Sequence, residues 1–260
     1  MMPRFSVRTG RIRPNVASGS VRPGPLAIVF LAVVLGLSPS RAAAGERIEF
    51  PSLGGTTGLL NTPTANVASD GHLFFGYHAI DKRWSYEGRT VLDNRIWYLT
   101  VGFLPNLEVS IRATVLPGES LLEDVPIDAV DRMGSFRYRF LKEKVWPSLA
   151  VGIDDIKGTR RLHSFYFVGT KSVKPFMVPV VAEFSLGYGL RTFDAARYLL
   201  DKEFGGIELK VGSWASGILE YDSEKWNAGL RLRAFSRLSA QVGVLHMEVL
   251  SGGLAWTQQL

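Results

Sequence analysis

Alternation of apolar and polar residues is the feature that most restricts the fold of this chain. Between Leu107 and Val115 every second residue is apolar, and the residues between them are polar. A period of two is typical of a β-strand with two different faces. Twelve such segments fall at 72–80, 95–103, 107–115, 132–140, 147–153, 163–173, 178–191, 204–212, 214–221, 226–235, 238–248 and 253–260. The chain is therefore predicted to be all-β.

The connections between these segments alternate in length. Residues 104–106 form a short connection and 116–131 a long one, and later connections follow the same trend. Outer-membrane barrels have tight turns at one end and longer loops at the other, and strands of about nine residues span the bilayer when tilted. The sequence predicts an antiparallel up-and-down transmembrane β-barrel of about 12 strands. A soluble β-sandwich, whose strands also alternate, is the competing fold.

The first 44 residues are predicted to be a cleaved signal peptide. They contain several arginines, an apolar run over 26–37 and the sequence Ala42-Ala43-Ala44, which suits signal peptidase. An uncleaved membrane anchor is the alternative. This leader holds six of the 30 basic residues and none of the 24 acidic ones, so the remainder carries no formal net charge. Nucleic acid is thereby excluded as a partner, and the expected location is the outer membrane of a Gram-negative cell.

Residues 51–65 read PSLGGTTGLLNTPTA, and Asp70-Gly71 and a strand with Gly76-Tyr77 follow. This opening resembles that of the YjbH-like family of envelope proteins. The resemblance implies an outer-membrane barrel, and some members are encoded in exopolysaccharide or capsule loci. The residues that carry it are Gly54, Gly55, Gly58, Leu59, Thr62, Pro63, Ala65, Asp70 and Gly71.

The chain is accordingly divided into a signal peptide at 1–44, a segment rich in Gly, Thr and Pro at 45–71, and a barrel at 72–260. Glycines allow sharp turns, and the residue before a proline favours extended backbone. The segment at 45–71 is therefore either a cap that closes the first strand or a plug that tucks into the barrel mouth.

Ionisable residues of both signs occupy the presumed inner face. They would face one another across a narrow lumen, where an unpaired charge is costly. Two interpretations follow: an ion-pair network that fills the lumen, or a path for a polar or anionic solute. Inner glycines such as Gly152, Gly187, Gly189, Gly229 and Gly243 are expected to leave room for these long side chains, which predicts a largely blocked lumen. The charged residues are Glu108, Arg112, Arg137, Arg139, Glu183, Arg191, Glu208, Lys210, Glu220, Arg231 and Arg233.

The sequence contains no recognised catalytic motif and no cysteine. No catalytic residue, cofactor site or metal site is predicted. The expected function is a non-enzymatic barrel that assists exopolysaccharide or capsule biosynthesis or export, or envelope integrity. Its expected partners are outer-membrane lipid and either polysaccharide or proteins of an export machinery. One alternative is a barrel-embedded acyl hydrolase of lipid A or phospholipid that uses His163, Ser164 or His246, and another is a soluble periplasmic β-sandwich that binds a partner.

Overall fold

The computed structural model describes residues 49–84, 93–116, 129–158, 162–174, 179–192, 197–234 and 237–260. The predicted leader at 1–44 lies outside these residues and stays a prediction. Within them the chain forms one 3-10 helix, Lys82–Trp84, and thirteen strands. The strands are β1 His72–Ile80, β2 Asn94–Gly102, β3 Leu107–Leu116, β4 Ala129–Leu141, β5 Ser148–Gly158, β6 Leu162–Val173, β7 Val180–Leu190, β8 Arg197–Tyr198, β9 Lys202–Val211, β10 Ala215–Tyr221, β11 Trp226–Ala234, β12 Leu238–Leu245 and β13 Val249–Gln259.

Twelve of these strands form one closed antiparallel barrel. Each pairs with its neighbours along the chain, and β1 closes the ring by pairing with β13 from His72 opposite Gln259 to Ile80 opposite Ser251. The two-residue β8 lies parallel to the start of β6, so β7 pairs directly with β9. Within the ranges that the structure describes, closure gives each of the twelve barrel strands a partner on both sides. The predicted barrel of about 12 strands is confirmed, and the sandwich alternative is wrong.

The two ends of the barrel differ in their connections. At one end, named the short-turn end, β1 begins, β13 ends and the connections are 103–106, 142–147, 174–179, 212–214 and 235–237. At the opposite end, named the long-loop end, 81–93, 117–128 and 191–201 are long, whereas 159–161, 222–225 and 246–248 are short. The alternation therefore holds for the first four strands, fails between β5 and β6, and fails again for the last two connections at this end.

The outward faces of the strands are apolar and exposed. Ile111 is 58% exposed and Leu230 is 60% exposed, although both lie in the middle of strands. Ser110 and Arg112, the residues on either side of Ile111, point into the lumen, and Ser110 is fully buried. Among the described residues, no helix is long and apolar enough to cross a bilayer. Other large exposed apolar residues are Phe75, Trp97, Phe136, Tyr138, Phe167, Leu209, Leu219, Leu232, Val242, Leu250, Leu254 and Trp256.

Four inner glycines each lie opposite an inner ring on the neighbouring strand. A Cβ built on Gly76 would stand 2.2 Å from the Tyr98 ring, so the ring occupies the space above the glycine. A ring that covers a cross-strand glycine lies against the wall. The centre of the lumen therefore stays open to another segment of the chain. The pairs are Gly76 with Tyr98, Gly152 with Tyr166, Gly187 with Phe204 and Gly253 with His78.

These contacts correct the role predicted for the inner glycines. Gly152 and Gly187 accommodate rings, not long charged side chains. A Cβ at Gly189 would stand 2.4 Å from the Leu200 carbonyl oxygen. Gly229 and Gly243 lie against the side chain of Leu60. The space that the glycines open is therefore used by rings and by backbone and leucine groups.

Candidate functional site: a hairpin inside the barrel

Residues 50–68, named the hairpin, run inside the lumen. Leu59, Leu60, Ala65 and Ala68 are completely buried, although none of them belongs to a strand of the barrel. Burial of a loop requires partners for its backbone N–H and C=O groups. The bonds that the hairpin makes are therefore the core of the site.

Both ends of the hairpin lie at the short-turn end of the barrel. At its start, the Phe50 ring packs 5.2 Å from the guanidinium carbon of Arg233, near the end of β11. Just after its end, Gly71 N–H donates to the Gly102 carbonyl at 3.0 Å. Its tip approaches the opposite end, where the Asn61 amide donates to the Asp222 carboxylate at 3.2 Å. The chain thus enters and leaves the lumen through one mouth.

Few backbone bonds lie within the hairpin itself. Leu53 N–H donates to Leu60 O at 2.7 Å, and Leu59 N–H donates to Thr62 O at 2.8 Å. Near its start, Ser52 N–H donates to Thr56 O at 2.7 Å. These bonds set the turns but leave many backbone groups for the wall to satisfy.

Two glutamates of the wall accept hydrogen bonds from the hairpin. Glu108 of β3 accepts from Thr57 N–H at 2.9 Å, from the Thr57 hydroxyl at 2.5 Å and from Ala68 N–H at 2.7 Å. Glu220 of β10 accepts from Asn61 N–H at 2.7 Å, from Thr62 N–H at 3.1 Å and from the Thr62 hydroxyl at 2.9 Å. Charge-assisted bonds of this kind are stronger than neutral ones, so both carboxylates hold the hairpin firmly.

Two fully buried arginines donate to hairpin carbonyls. Arg137 of β4 bonds the carbonyl oxygens of Thr57 and Thr64 and, at 3.0 Å, that of Asn66. Its Nη1 also lies 3.1 Å from Glu108 Oε1. A buried guanidinium is tolerated only when its donors are satisfied, and here the hairpin satisfies most of them.

Arg231 of β11 plays the same part on the facing side of the lumen. It bonds the carbonyl oxygen of Leu59 and, at 3.4 Å, that of Pro51. Its Nη1 lies 3.3 Å from Glu208 Oε1, and its Nε donates to the Gln241 side chain at 2.5 Å. The four residues Glu108, Arg137, Glu220 and Arg231, all proposed from sequence as lumen charges, therefore bind one backbone segment.

The other predicted lumen charges form pairs around this core. Lys210 Nζ lies 2.6 Å from Glu183 and 3.5 Å from Glu208. The ion pair with Glu183 links β9 to β7. Glu183 also accepts from the Asn66 side chain at 3.4 Å. Arg112, in the middle of β3, contacts the Met133 sulfur. Two further arginines lie inside the wall at the rim of the short-turn end: Arg139 bonds the Asn106 side chain at 2.9 Å, and Arg233 covers Phe50.

Arg191 is the exception among the predicted lumen residues. The strand was expected to continue to residue 191, but β7 ends at Leu190. The Arg191 side chain is 62% exposed and forms an ion pair with Asp201 in the following connection. It belongs to the long-loop end and not to the lumen.

The residues of the family motif build the hairpin and its exit. Gly55 has φ of +92°, and a Cβ there would stand 2.5 Å from the Tyr98 ring, so both conformation and space require glycine. Gly58 lies against the Thr62 carbonyl and bridges to Pro63. Ala65 N–H donates to the Thr170 hydroxyl at 2.8 Å. Of the rest, Gly54 lies near Arg112, Leu59 is buried, Asp70 is exposed, and Gly71, with φ of +74°, turns the chain into β1.

The match to known proteins covers this same region. Residues 52–200, more than half of the chain, match the family model described as YjbH, exopolysaccharide biosynthesis protein YbjH. The chain belongs to the YjbH family. The match starts within the hairpin and ends before β9, so the five strands that complete the barrel of this YjbH-family member lie outside it.

A curated relative is similar in sequence to part of this YjbH-family chain. It is the "Uncharacterized lipoprotein YjbH" of Escherichia coli (strain K12), which is 31% identical over 166 residues. The alignment covers 60% of this chain and 21% of the relative. The chain therefore spans about a fifth of the length of the relative that it matches.

One side of the YjbH-family lumen carries a cluster of buried apolar side chains that the sequence analysis did not predict. Phe74 and Ile80 of β1, Ile96 and Tyr98 of β2, and residues of β12 and β13 pack against Leu53 and Ala68 of the hairpin. We name this wall, formed by β1, β2, β12 and β13, the apolar half, and the wall of β3, β4 and β9–β11 the charged half. The available signal was that both faces of β1 are apolar, as Phe74 and Phe75 show.

The residues considered for acyl hydrolysis have structural partners. The Ser164 hydroxyl accepts from Leu200 N–H at 2.7 Å and donates to Leu200 O at 3.0 Å. His163 is its neighbour on the same strand, so the two side chains leave opposite faces. His246 Nε2 lies 3.2 Å from Asp222 Oδ2. Within the described ranges, no three His, Asp or Glu side chains are grouped as a metal ion would require.

Proposed function

We propose that this YjbH-family chain is a non-enzymatic barrel of the Gram-negative outer membrane that assists exopolysaccharide biosynthesis or export. The observation that carries the proposal is the distribution of polarity: exposed apolar side chains cover the outside, and paired charges lie inside. Single exposed apolar residues are normal, but a continuous band is not, and a bilayer is the environment that stabilises it. The family description links the chain to exopolysaccharide biosynthesis.

The buried groups support a role without catalysis. Glu108, Glu220, Arg137 and Arg231 are engaged by the hairpin backbone, and Ser164 is engaged by Leu200. A nucleophile or general base needs a free approach to its substrate. We infer that outer-membrane lipid contacts the apolar band, and that polysaccharide or proteins of the export machinery contact the ends of the barrel.

Two measurements test location and role. Mature protein should pellet with outer membranes and migrate faster on SDS gels when unheated than when boiled. Deletion of the gene in its native host should reduce extractable exopolysaccharide, and the wild-type gene should restore it. Detergent sensitivity is measured in the same strains. Unchanged exopolysaccharide together with increased detergent sensitivity would replace the export role with one in envelope integrity.

The acyl hydrolase is the second candidate, and a direct assay decides it. Purified barrel is incubated with lipid A and with phospholipid, and released fatty acid is measured. We expect no release above the rate of a boiled sample. Release that Ser164→Ala abolishes, with heat-modifiable migration retained, would establish the enzyme instead.

A further inference from the structure

The charged half of the lumen is built to hold a neutral chain. The hairpin backbone has no net charge, yet the wall presents carboxylates to its N–H groups and guanidinium groups to its carbonyls. The wall charges also neutralise each other, because Arg137 lies 3.1 Å from Glu108 and Arg231 lies 3.3 Å from Glu208. A ligand of one sign would leave wall charges of the same sign without compensation. The matching ligand is neutral and carries both donors and acceptors.

The apolar half adds a second property to the same space. Tyr98 and Phe74 are buried there, and the Tyr98 ring contacts Gly55 of the hairpin without an intervening side chain. A pyranose ring has apolar C–H faces and a rim of hydroxyl groups. Its faces fit an aromatic wall, and its hydroxyls fit carboxylates and guanidinium groups. The two halves together therefore offer both surfaces that a sugar chain requires.

The hairpin has a route out of the lumen. Because Phe50 and Gly71 lie at the same mouth, the segment between them can leave as a loop, and no chain end has to be threaded through the barrel. Gly71 has φ of +74° and stands between the hairpin and β1, so it is placed to act as the hinge. The carboxylates and guanidinium groups that the hairpin leaves behind would then face the emptied space.

We propose that the wall positions that hold the hairpin form a binding tract for a neutral, hydroxyl-rich glycan chain, which competes with the hairpin and occupies its place when it leaves through the short-turn end. This inference rests on the proposed link to exopolysaccharide, and it names the class of chain and the element that controls access. A ligand shifts the equilibrium between the filled and the emptied lumen only by its difference in affinity for these two states. The glycan must therefore bind the emptied lumen more tightly than the filled one.

A cysteine reporter tests the competition. The chain has no cysteine, so Ala65→Cys introduces the single thiol at a completely buried hairpin position. In detergent-purified protein, a dextran oligosaccharide of about ten glucose units should accelerate maleimide labelling several-fold by favouring the displaced hairpin. Dextran sulfate of the same length should have a smaller effect. If Ala65→Cys fails to fold, Val67→Cys is used, because Val67 is also completely buried.

A cysteine in the wall provides the matched control. Ala150 of β5 is buried in the same cluster as Ala65, so Ala150→Cys reports on the wall under the hairpin. When dextran replaces the hairpin, labelling at 65 rises and labelling at 150 stays low, because the glycan covers the wall. Accelerated labelling at both positions would indicate general unfolding and overturn the proposal. Unchanged labelling at 65 would overturn it as well.

A disulfide lock tests whether the hairpin must leave. Ala65 N–H donates to the Thr170 hydroxyl at 2.8 Å, so the two residues are neighbours and are the pair chosen for the lock, whose formation is checked by the loss of free thiol. Oxidised Ala65→Cys, Thr170→Cys protein should lose binding of fluorescent dextran, and dithiothreitol should restore it. Dithiothreitol should leave the wild-type protein unchanged. Equal dextran binding by the locked and reduced forms would place the binding outside the lumen and overturn the proposal.

The two proposals fail independently. If the gene deletion leaves exopolysaccharide unchanged while dextran still displaces the hairpin, the proposed role is wrong and the binding tract stands. If the deletion reduces exopolysaccharide but dextran neither displaces the hairpin nor distinguishes the locked form, the role stands and the tract is wrong.

Discussion

The charged half and the apolar half of the lumen hold the same hairpin by different means. Arg137 and Glu108 in the charged half bind its backbone through directional bonds. In the apolar half, Phe74 and Tyr98 pack against it without direction, and hydrogen bonds from His78 and Thr100 to hairpin carbonyls add to this packing. Directional bonds set the position of a segment, whereas apolar burial supplies much of the free energy that keeps it there. The barrel interior therefore resembles the core of a globular protein with the hairpin at its centre.

The largest effect is expected in the charged half. Arg137→Met removes the donors for three hairpin carbonyls and leaves Glu108 buried without its counter-charge. Breaking a buried pair in this way costs about 3–5 kcal/mol of the free energy of unfolding. The urea midpoint for loss of the heat-modifiable form measures it. Arg139→Met, at the rim, is the control and should cost clearly less; equal costs would mean that burial in the charged half does not matter.

The next prediction compares the cost of an arginine on the outer face of the wall with its cost on the inner face. Ile111→Arg places a charge on the apolar band and should cost about 2–4 kcal/mol if the residue lies near the middle of the bilayer. Its inward neighbour Ser110 is buried, and its hydroxyl lies 2.7 Å from the hydroxyl of Thr100, which bonds the Gly55 carbonyl of the hairpin. Ser110→Arg overpacks this site and should cost about 1–3 kcal/mol.

The same urea titration, carried out in lipid vesicles, measures the loss of unfolding free energy for both variants. In an open, water-filled pore an arginine at position 110 would be nearly harmless. A neutral result for Ser110→Arg would therefore show that the hairpin does not fill the lumen beside β3.

A smaller effect is expected from the hairpin side of the apolar half. Leu53→Ala leaves a cavity against Phe74 and Tyr98. Leucine-to-alanine changes in cores cost about 2–5 kcal/mol, and we expect the lower end here because the hairpin forms no strand of the barrel and its backbone can shift towards the cavity. Thermal unfolding measures the loss. Leu104→Ala, in an exposed turn at the short-turn end, is the control and should be close to neutral.

The last expectation concerns pH at the start of the hairpin. Burial raises the pKa of Glu49 to about 8, repulsion from Glu108 and Glu183 adds to the increase, and attraction to Arg139 and Lys210 opposes it. A raised pKa means that the folded protein holds the proton more tightly. The contribution of Glu49 to the free energy of unfolding is thus complete below pH about 4.5 and is lost as the pH rises through about 8.

Thiol labelling of the hairpin reporter at several pH values checks this expectation. The labelling rate should increase between pH 6 and 9 in an otherwise wild-type background and stay level with Glu49→Gln, after correction for the reactivity of a free thiol. An equal increase in both proteins would assign the effect to another group.

The sequence predicted the barrel because strand alternation is a local property. Leu107–Leu116 shows both faces within ten residues, so its inward charges could be read directly. The apolar half could not be read in this way, because Phe74 and Phe75 are both apolar and the partner of the inner one, Leu53, belongs to another element. The motif glycines indicated turns, but the bond between Asn61 and Glu220 joins residues 159 positions apart.

The rings that cover inner glycines have a consequence for how related sequences should vary. A side chain at Gly76 is excluded only while the Tyr98 ring lies above it, and a smaller residue at 98 would remove the obstacle and open a gap beside the hairpin. A relative that loses the ring should therefore gain a side chain at the glycine, which refills the gap. The same coupling is expected for Gly152 with Tyr166. Because each pair joins adjacent strands at one rung, such covariation would report strand registry from an alignment alone.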